Sequence, residues 1–457
     1  MENKLGIRKW LTFILAGFVG QLAWAIENNY FNVYVRYCTD TYDFIPVMTI
    51  ASAAAATITT LFMGALSDRL GKRKIMICGG YILWGISILL FAFMDPSSSF
   101  NLVANSVFLA GTMIVIMDCV MTFFGSTAND AAFNAFVTDN TNDNNRAKVE
   151  SVLSVLPLLA LIIVIVIAGI FVDLSPEQLA AGAVKRWDIF FYIFGSITLL
   201  VGILSFFLVP KDVVAPNKEG NYFVNVFYGF RPKVVKQNPV LYITLLAFMV
   251  FNIGLQVFMP YFIVYVQDIL HIEGDAFTLS LGVVLLGASA ITVVFGLFMD
   301  KIGKNRIMIP GLIVGAIGGG IIFFVPDNSS FTQPGLIIGG IILMTGYLVS
   351  TAVLGAKVRD YTPVKEVGLF QGVRMIFVVL IPMVIGPLIG NALCRTKGEP
   401  YTNSLGATVY PPNKWLFFVT GAIFLCAIGP VVWMILKEKK TPKAEPVEEN
   451  QAEDLDE

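Results

Sequence analysis

Three carboxylates stand inside long apolar runs of this chain: Glu27, in Trp24-Ala25-Ile26-Glu27-Asn28-Asn29, and Asp118 and Asp130, which share one run. On insertion scales a charged side chain at the centre of a bilayer helix costs about 2.5–3.5 kcal/mol, so an ionisable group at that depth needs a compensating reason. A carboxylate stripped of water favours its neutral form, and a group that takes up and releases a proton is what a proton carrier requires. Glu27 and Asp118 are candidate proton-coupling residues on this ground. Glu27 is the first choice, and each reads as a lone carboxylate. Asp130 and Asn134 lie one helical turn apart and share a face, as do Asn252 and Gln256. With Asn29 and the flat face of Trp24 they form a candidate set for holding a polar solute, because carboxylates and amides exchange hydrogen bonds with hydroxyls. Asn29 and Gln256 suit a plainer role equally well, as polar glue between helices. Arg374, early in another apolar run, suits snorkelling to an interface.

These residues need helices in a membrane to position them. Of 457 residues, 56% are hydrophobic and 14% charged, about half the charged share of a soluble domain. That leaves too little polar surface to coat a water-exposed body, and the lipid bilayer is the expected surroundings. A net charge of −1 gives no reason to expect a nucleic-acid partner. The five cysteines are scattered and His271 is the single histidine, so no metal site or cofactor is expected. No nucleophile–base pair or phosphate loop marks an enzyme. The glycine-rich run Gly318-Gly319-Gly320 lies in an apolar stretch and reads as a helix-packing surface.

A spanning helix needs about 20 mostly apolar residues. Twelve such runs occur, near 10–35, 44–66, 75–95, 104–137, 151–173, 188–209, 239–268, 277–299, 307–325, 335–356, 370–393 and 414–436. The first, behind Lys4, Arg8 and Lys9, reads as an uncleaved span. An even count puts both termini on one side. Segments on that side carry 24 Lys and Arg, those on the other carry 6, and Arg374 lies in a span. The basic bias predicts cytoplasmic termini in the cell membrane. The expected organisation is an N-terminal six-helix bundle over 1–209, a basic linker over 210–238, a C-terminal six-helix bundle over 239–437 and a disordered acidic tail over 438–457.

The two halves repeat. Gly64-Ala65-Leu66-Ser67-Asp68-Arg69-Leu70-Gly71 follows the second span, and Gly296-Leu297-Phe298-Met299-Asp300-Lys301-Ile302-Gly303 follows the eighth. One copy is an ordinary basic turn; two at equivalent places are hard to obtain by chance. The pair resembles the signature loop of the major facilitator superfamily. That resemblance implies an all-α membrane protein of twelve transmembrane helices in two six-helix bundles. It also implies a conformational latch built from Gly64, Asp68, Arg69, Gly71, Asp300, Lys301 and Gly303.

Further stretches resemble the glycoside–pentoside–hexuronide cation symporters, the melibiose permease group. They are Asn129-Asp130 through Phe133, Asn134, Asp139, Thr141 and Arg146; Arg359-Asp360-Tyr361-Thr362 through Gly368, Gly372 and Arg374; and Cys38-Thr39-Asp40. The resemblance puts Asp130 on that group's sugar-binding aspartate. It implies a secondary transporter, with a small polar solute such as a sugar or glycoside as its partner. The chain departs from the group in the second span, where Ala56 and Thr60 stand at the two aspartates that bind sodium. H⁺ is therefore the expected coupling ion. Carriers of drugs or lysolipids and a non-transporting solute sensor are the competing readings.

Overall fold

The computed structural model describes residues 5–94, 107–141, 146–212, 227–327, 329–362, 367–403 and 406–440. Twelve helices in it are long and apolar enough to cross a membrane. They are span 1 (Ile7–Thr39), span 2 (Phe44–Ser67), span 3 (Arg73–Met94), span 4 (Val107–Asp139), span 5 (Val155–Ala180) and span 6 (Trp187–Leu208). Spans 7 to 12 are Pro239–Ile269, Gly274–Phe295, Lys304–Phe323, Thr332–Tyr361, Gly372–Lys397 and Trp415–Lys440. Helix is the form an apolar segment takes in lipid, because it satisfies every backbone polar group within the segment. Large apolar side chains such as Phe108, Phe207 and Phe324 point outward at 73% exposure or more, as a lipid-facing surface requires. The expected twelve spans agree with these to within a few residues, apart from longer ends on spans 1, 5 and 10. Among the described residues the one sheet is a short antiparallel pair, Tyr401–Thr402 with Thr408–Val409, between spans 11 and 12.

Within each half the spans pack mainly on one another, with spans 3 and 6 and spans 9 and 10 closely paired. An aromatic core of Tyr34, Phe91, Trp187, Phe190 and Phe191 knits spans 1, 3 and 6. The halves meet where span 2 lies against span 11, span 5 against span 8 and span 1 against span 7.

The repeated loop has a repeated structure. Gly71 ends the helix of span 2 at φ 62°, and Gly303 precedes span 9 at φ 93°. Both lie in the positive-φ region that L side chains rarely enter, which accounts for glycine at each. After Gly71, buried Arg73 donates from Nε to Asp139 at the end of span 4 (3.1 Å) and from Nη1 to Ser67 Oγ (2.6 Å). After Gly303, Lys304 donates to Asp360 at the end of span 10 (2.7 Å). Spans 4 and 10 are equivalent in the two halves, so each loop ties the start of span 3 or 9 to the equivalent neighbour. The side chains of Asp68, Asp300 and Lys301 lie outside the described residues; Gly64 packs near Ala131 of span 4, and Arg69 is exposed. The end of the linker, Tyr228–Gln237, folds onto the C-terminal half, where Tyr242 donates its hydroxyl to Gly229 O. Most of the linker, at 213–226, and the acidic tail from 441 onward lie outside the described residues; residues 438–440, expected in that tail, instead continue the helix of span 12, where Glu438 accepts from Lys357.

Candidate functional site

Glu27 sits past the middle of span 1 on the face turned to spans 2 and 4. Its Oε1 accepts from Ser52 Oγ of span 2 (2.6 Å) and from Thr122 Oγ1 of span 4 (2.9 Å). The two hydroxyls are themselves 3.2 Å apart. Asp118, one turn before Thr122 on span 4, also faces Ser52 and is 1% exposed. Glu27 and Asp118 are thus not lone carboxylates, and the sequence expectation is corrected on this point. Antiparallel packing of spans 1 and 4 brings them into one buried cluster.

The protons of this cluster can be counted. Each hydroxyl has one to give, and Glu27 Oε1 receives both. Glu27 Oε2 and Asp118 Oδ1 are left buried with no hydrogen-bond partner among the described residues. Two negative charges side by side in a low dielectric repel strongly, and a buried unpaired charge is costly. One proton or another cation between them relieves both penalties. Ser52 and Thr122 escaped sequence reading. Thr122 carries a signal, since it lies one turn from Asp118; Ser52 sits in Ala51-Ser52-Ala53-Ala54 and carries none.

The candidate solute-binding residues fall in several environments. Asp130 lies in a π-helical stretch of span 4, Ser126–Phe133, and its Oδ2 accepts from Ser126 Oγ (3.0 Å). Such wide turns leave backbone groups to be satisfied and gather at functional sites. Asn134 is exposed and donates to the main-chain carbonyl of Asp130 (3.1 Å). Trp24 packs on Trp84, ring centres 5.1 Å apart. Asn29 donates to Ala25 O (2.8 Å) and stands half-buried. In the other half, Asn252 gives its amide to Val378 O of span 11 (2.9 Å), within a second π-helical stretch, Ile376–Leu380. Gln256, half-buried, packs where Gly386 lets span 11 come close to span 7.

Between the halves lies a small cavity of about 60 Å³. Asn29 and Tyr30 of span 1 face Leu161 and Ile165 of span 5, Phe258, Met259 and Phe262 of span 7, Val284 of span 8 and Met344 of span 10 across it.

The profile of the family described as Major Facilitator Superfamily matches residues 10–330 and 244–455. The chain belongs to the major facilitator superfamily. An uncharacterized transporter of Buchnera aphidicola subsp. Schizaphis graminum (strain Sg) is 34% identical over 122 residues, 26% of this chain and 30% of that relative. The chain thus matches under a third of that curated relative. Among solved structures, the nucleoside transporter NupG superposes with a TM-score of 0.66 at 12% identity, over 92% of this chain and 99% of that one. The xylose transporter XylE from E. coli, in a partially occluded inward-open conformation, gives 0.65 at 14% identity, over 95% and 99%. A bacterial homolog of the human lysosomal transporter Spinster, inward-facing and unoccupied, gives 0.60 at 12%, over 94% and 96%. At these identities the likeness is one of fold.

In this major facilitator the polar contacts that join the bundles gather on the side opposite the termini. Arg36, at the end of span 1, pairs with Asp268 of span 7 (3.3 Å) and lies over the Tyr42 ring. Tyr42 donates to Asp268 Oδ2 (2.8 Å), Arg395 to Asp43 (2.8 Å) and Asn403 to Asp40 O (2.9 Å). Deeper, Asp173 of span 5 accepts from Tyr30 Oη (2.9 Å) and from Gln267 Nε2 of span 7 (2.8 Å). Gln267 stands in a third π-helical stretch, Tyr265–Ile269. Among the described residues, the bonds on the terminal side run inside one bundle or the other: Arg73 to Asp139, Lys304 to Asp360 and Lys357 to Glu438. The central cavity is therefore closed toward the side opposite the termini.

Proposed function

We propose that this chain is a secondary active transporter of the cell membrane, with both termini cytoplasmic, that carries a sugar or glycoside together with protons by alternating access. The observation that carries the coupling is the shortage of donors around Glu27 and Asp118, which asks for a cation. With Ala56 and Thr60 in place of the sodium-binding aspartates, a proton is the cation that fits, and Glu27 is its carrier. The short stretches around Asp130, Tyr361 and Thr39 support a place in the glycoside–pentoside–hexuronide group. Asp130 and Asn134 would meet the solute's hydroxyls, with Asn29, Gln256 and the Trp24 ring beside them. Asn252 would act through the span 11 backbone it holds. Asp68 and Asp300 would latch the terminal side when the cavity opens the other way.

Uptake by purified protein in liposomes tests this. A panel of sugars and glycosides is offered with an inward proton gradient, with and without Na⁺. Accumulation of at least one member that follows the proton gradient and ignores replacement of Na⁺ by K⁺ is expected. Accumulation that collapses when Na⁺ is removed at a fixed proton gradient would overturn proton coupling. A reporter fused after Lys440 should be active in its cytoplasmic form only.

A further inference from the structure

The piece of linker that leads into span 7 carries an outward-facing stripe. Phe227, Phe230, Lys233 and Lys236 recur every third residue through a tight turn, Tyr228–Phe230, and a short helix, Pro232–Gln237. All four are exposed, the two phenylalanines at 53% and 37%, with ring centres 6.5 Å apart. Arg231 adds a third cation, held over the Tyr228 ring at 5.4 Å. No acidic residue occurs between Glu219 and Asp268 to offset them. The opposite face is fixed to the C-terminal bundle. Gly229 is buried against Val373 at the start of span 11, with no room for a side chain, and its carbonyl accepts from Tyr242 in the first turn of span 7. Val234 is buried, and the Tyr228 ring meets Phe370 edge-on. Span 7 begins at Pro239 and span 11 at Gly372. Anchors at the entrances of two membrane-crossing helices set the stripe at the level of the bilayer surface on the terminal side.

We propose that this stripe docks on anionic phospholipid: Phe227 and Phe230 enter the upper acyl region of the leaflet, and Arg231, Lys233 and Lys236 take the headgroup phosphates. Aromatic rings settle at the headgroup level of a bilayer, and each Lys or Arg near an anionic surface adds to the attraction. Rings and cations on one exposed line are the pattern of a segment that lies in the surface plane instead of crossing it. The helix is short, but the bundle already holds it in shape, so docking orders little that is not ordered before. A role follows from what the segment is fixed to. Gly229 seats on spans 7 and 11 together, so a leaflet that holds the stripe holds the terminal-side ends of both. Anionic lipid thereby steadies one side of the opening through which the bundles rock. This surface is separate from the solute site and does not depend on the solute's identity.

Hydrogen exchange over 227–237 tests this on the purified full chain in nanodiscs. One set is phosphatidylcholine alone, the other a two-to-one mixture of phosphatidylcholine and phosphatidylglycerol. Exchange should be about tenfold slower in the mixture, and the difference should shrink at high salt, which screens exposed charges. The double variant Lys233→Gln with Lys236→Gln should erase the difference, and Phe227→Ser with Phe230→Ser should reduce it several-fold. All four positions are exposed, and exchange within spans 7 and 11 reports whether each variant is folded; a misfolded one leaves the other to decide. Equal exchange of the unmodified chain in the two bilayers overturns the proposal. So does a difference that survives intact in either folded variant. Strong protection in both bilayers that is lost on changing Glu445, Glu448, Glu449 and Glu453 to Gln would give the stripe to the chain's own acidic tail, and overturns it as well.

Discussion

Tyr30 donates its hydroxyl to Asp173 across 2.9 Å, while its ring forms part of the cavity wall. One side chain thus touches both the space a solute would fill and the carboxylate that Gln267 of the other bundle also holds. A solute that turns the Tyr30 ring would disturb the far-side closure directly, through one rotation about two side-chain bonds.

Tyr30→Phe keeps the ring and removes the bond. Asp173 is 2% exposed and would keep only Gln267 of its two named donors. A hydrogen bond to a charged group contributes about 1.5–3 kcal/mol. Tyr30 and Asp173 belong to one bundle, so the lost bond acts on the closure only through the hold of Asp173 on Gln267, and the variant should favour far-side opening by less than about tenfold. Hydrogen exchange over 262–274 would report it as lost protection. Unchanged protection there would mean that Tyr30 is packing alone.

The ion pairs of the closure should differ in weight. Arg395 and Asp43 are each about half exposed, 50% and 46%, and exposed pairs contribute about 0–1 kcal/mol. Arg36 is 19% exposed and meets Asp40, Asp268 and the Tyr42 ring together. Arg36→Ala should open the far side far more than Arg395→Ala does. Labelling of a cysteine placed in the cavity, by a membrane-impermeant reagent applied from that side, ranks the two. Equal labelling would contradict the ranking.

Glu27→Gln should retain exchange of labelled for unlabelled solute across the membrane and lose accumulation against a gradient. The amide fills the same volume and keeps an acceptor for Ser52 and Thr122, but cannot shuttle a proton. Asp118→Asn should impair accumulation as well, because the pair shares one shortage of donors. Accumulation that persists in Glu27→Gln would remove it from the coupling path.

Asp130→Asn should abolish solute binding in protein that remains folded and inserted, since the change is isosteric and Ser126 can still donate to the side-chain oxygen. Calorimetric titration with the best substrate of the uptake panel checks this. Wild-type affinity would rule out a contact with solute.

Much of the architecture was legible because each span is its own hydropathic signal. The repeat was legible because Gly71 and Gly303 both occupy a backbone region other residues avoid. Pairings across helices were not. Nothing local in the sequence links Glu27 to Ser52 and Thr122, or Asp173 to Tyr30 and Gln267; those contacts depend on how far each span slides and turns in its bundle. The three π-helical stretches were also invisible, because one extra residue in a turn leaves an apolar pattern nearly unchanged. The greasy lining of the cavity was hidden for a similar reason. A phenylalanine facing the cavity and one facing lipid read alike in a membrane sequence.

The amide of Asn252 on the Val378 carbonyl has a mechanical consequence. A wide turn frees a carbonyl that hydrocarbon cannot satisfy, so span 11 can hold this irregularity only while span 7 accompanies it. Gly386 and Gly390 bring the two backbones close on the same seam, against Gln256 and Val257. Spans 7 and 11 are in effect riveted, and any tilt of one is a tilt of both. When the bundles rock, this pair behaves as a single lever whose far arm carries Asp268 and Arg395, so both ionic closures release in the same stroke.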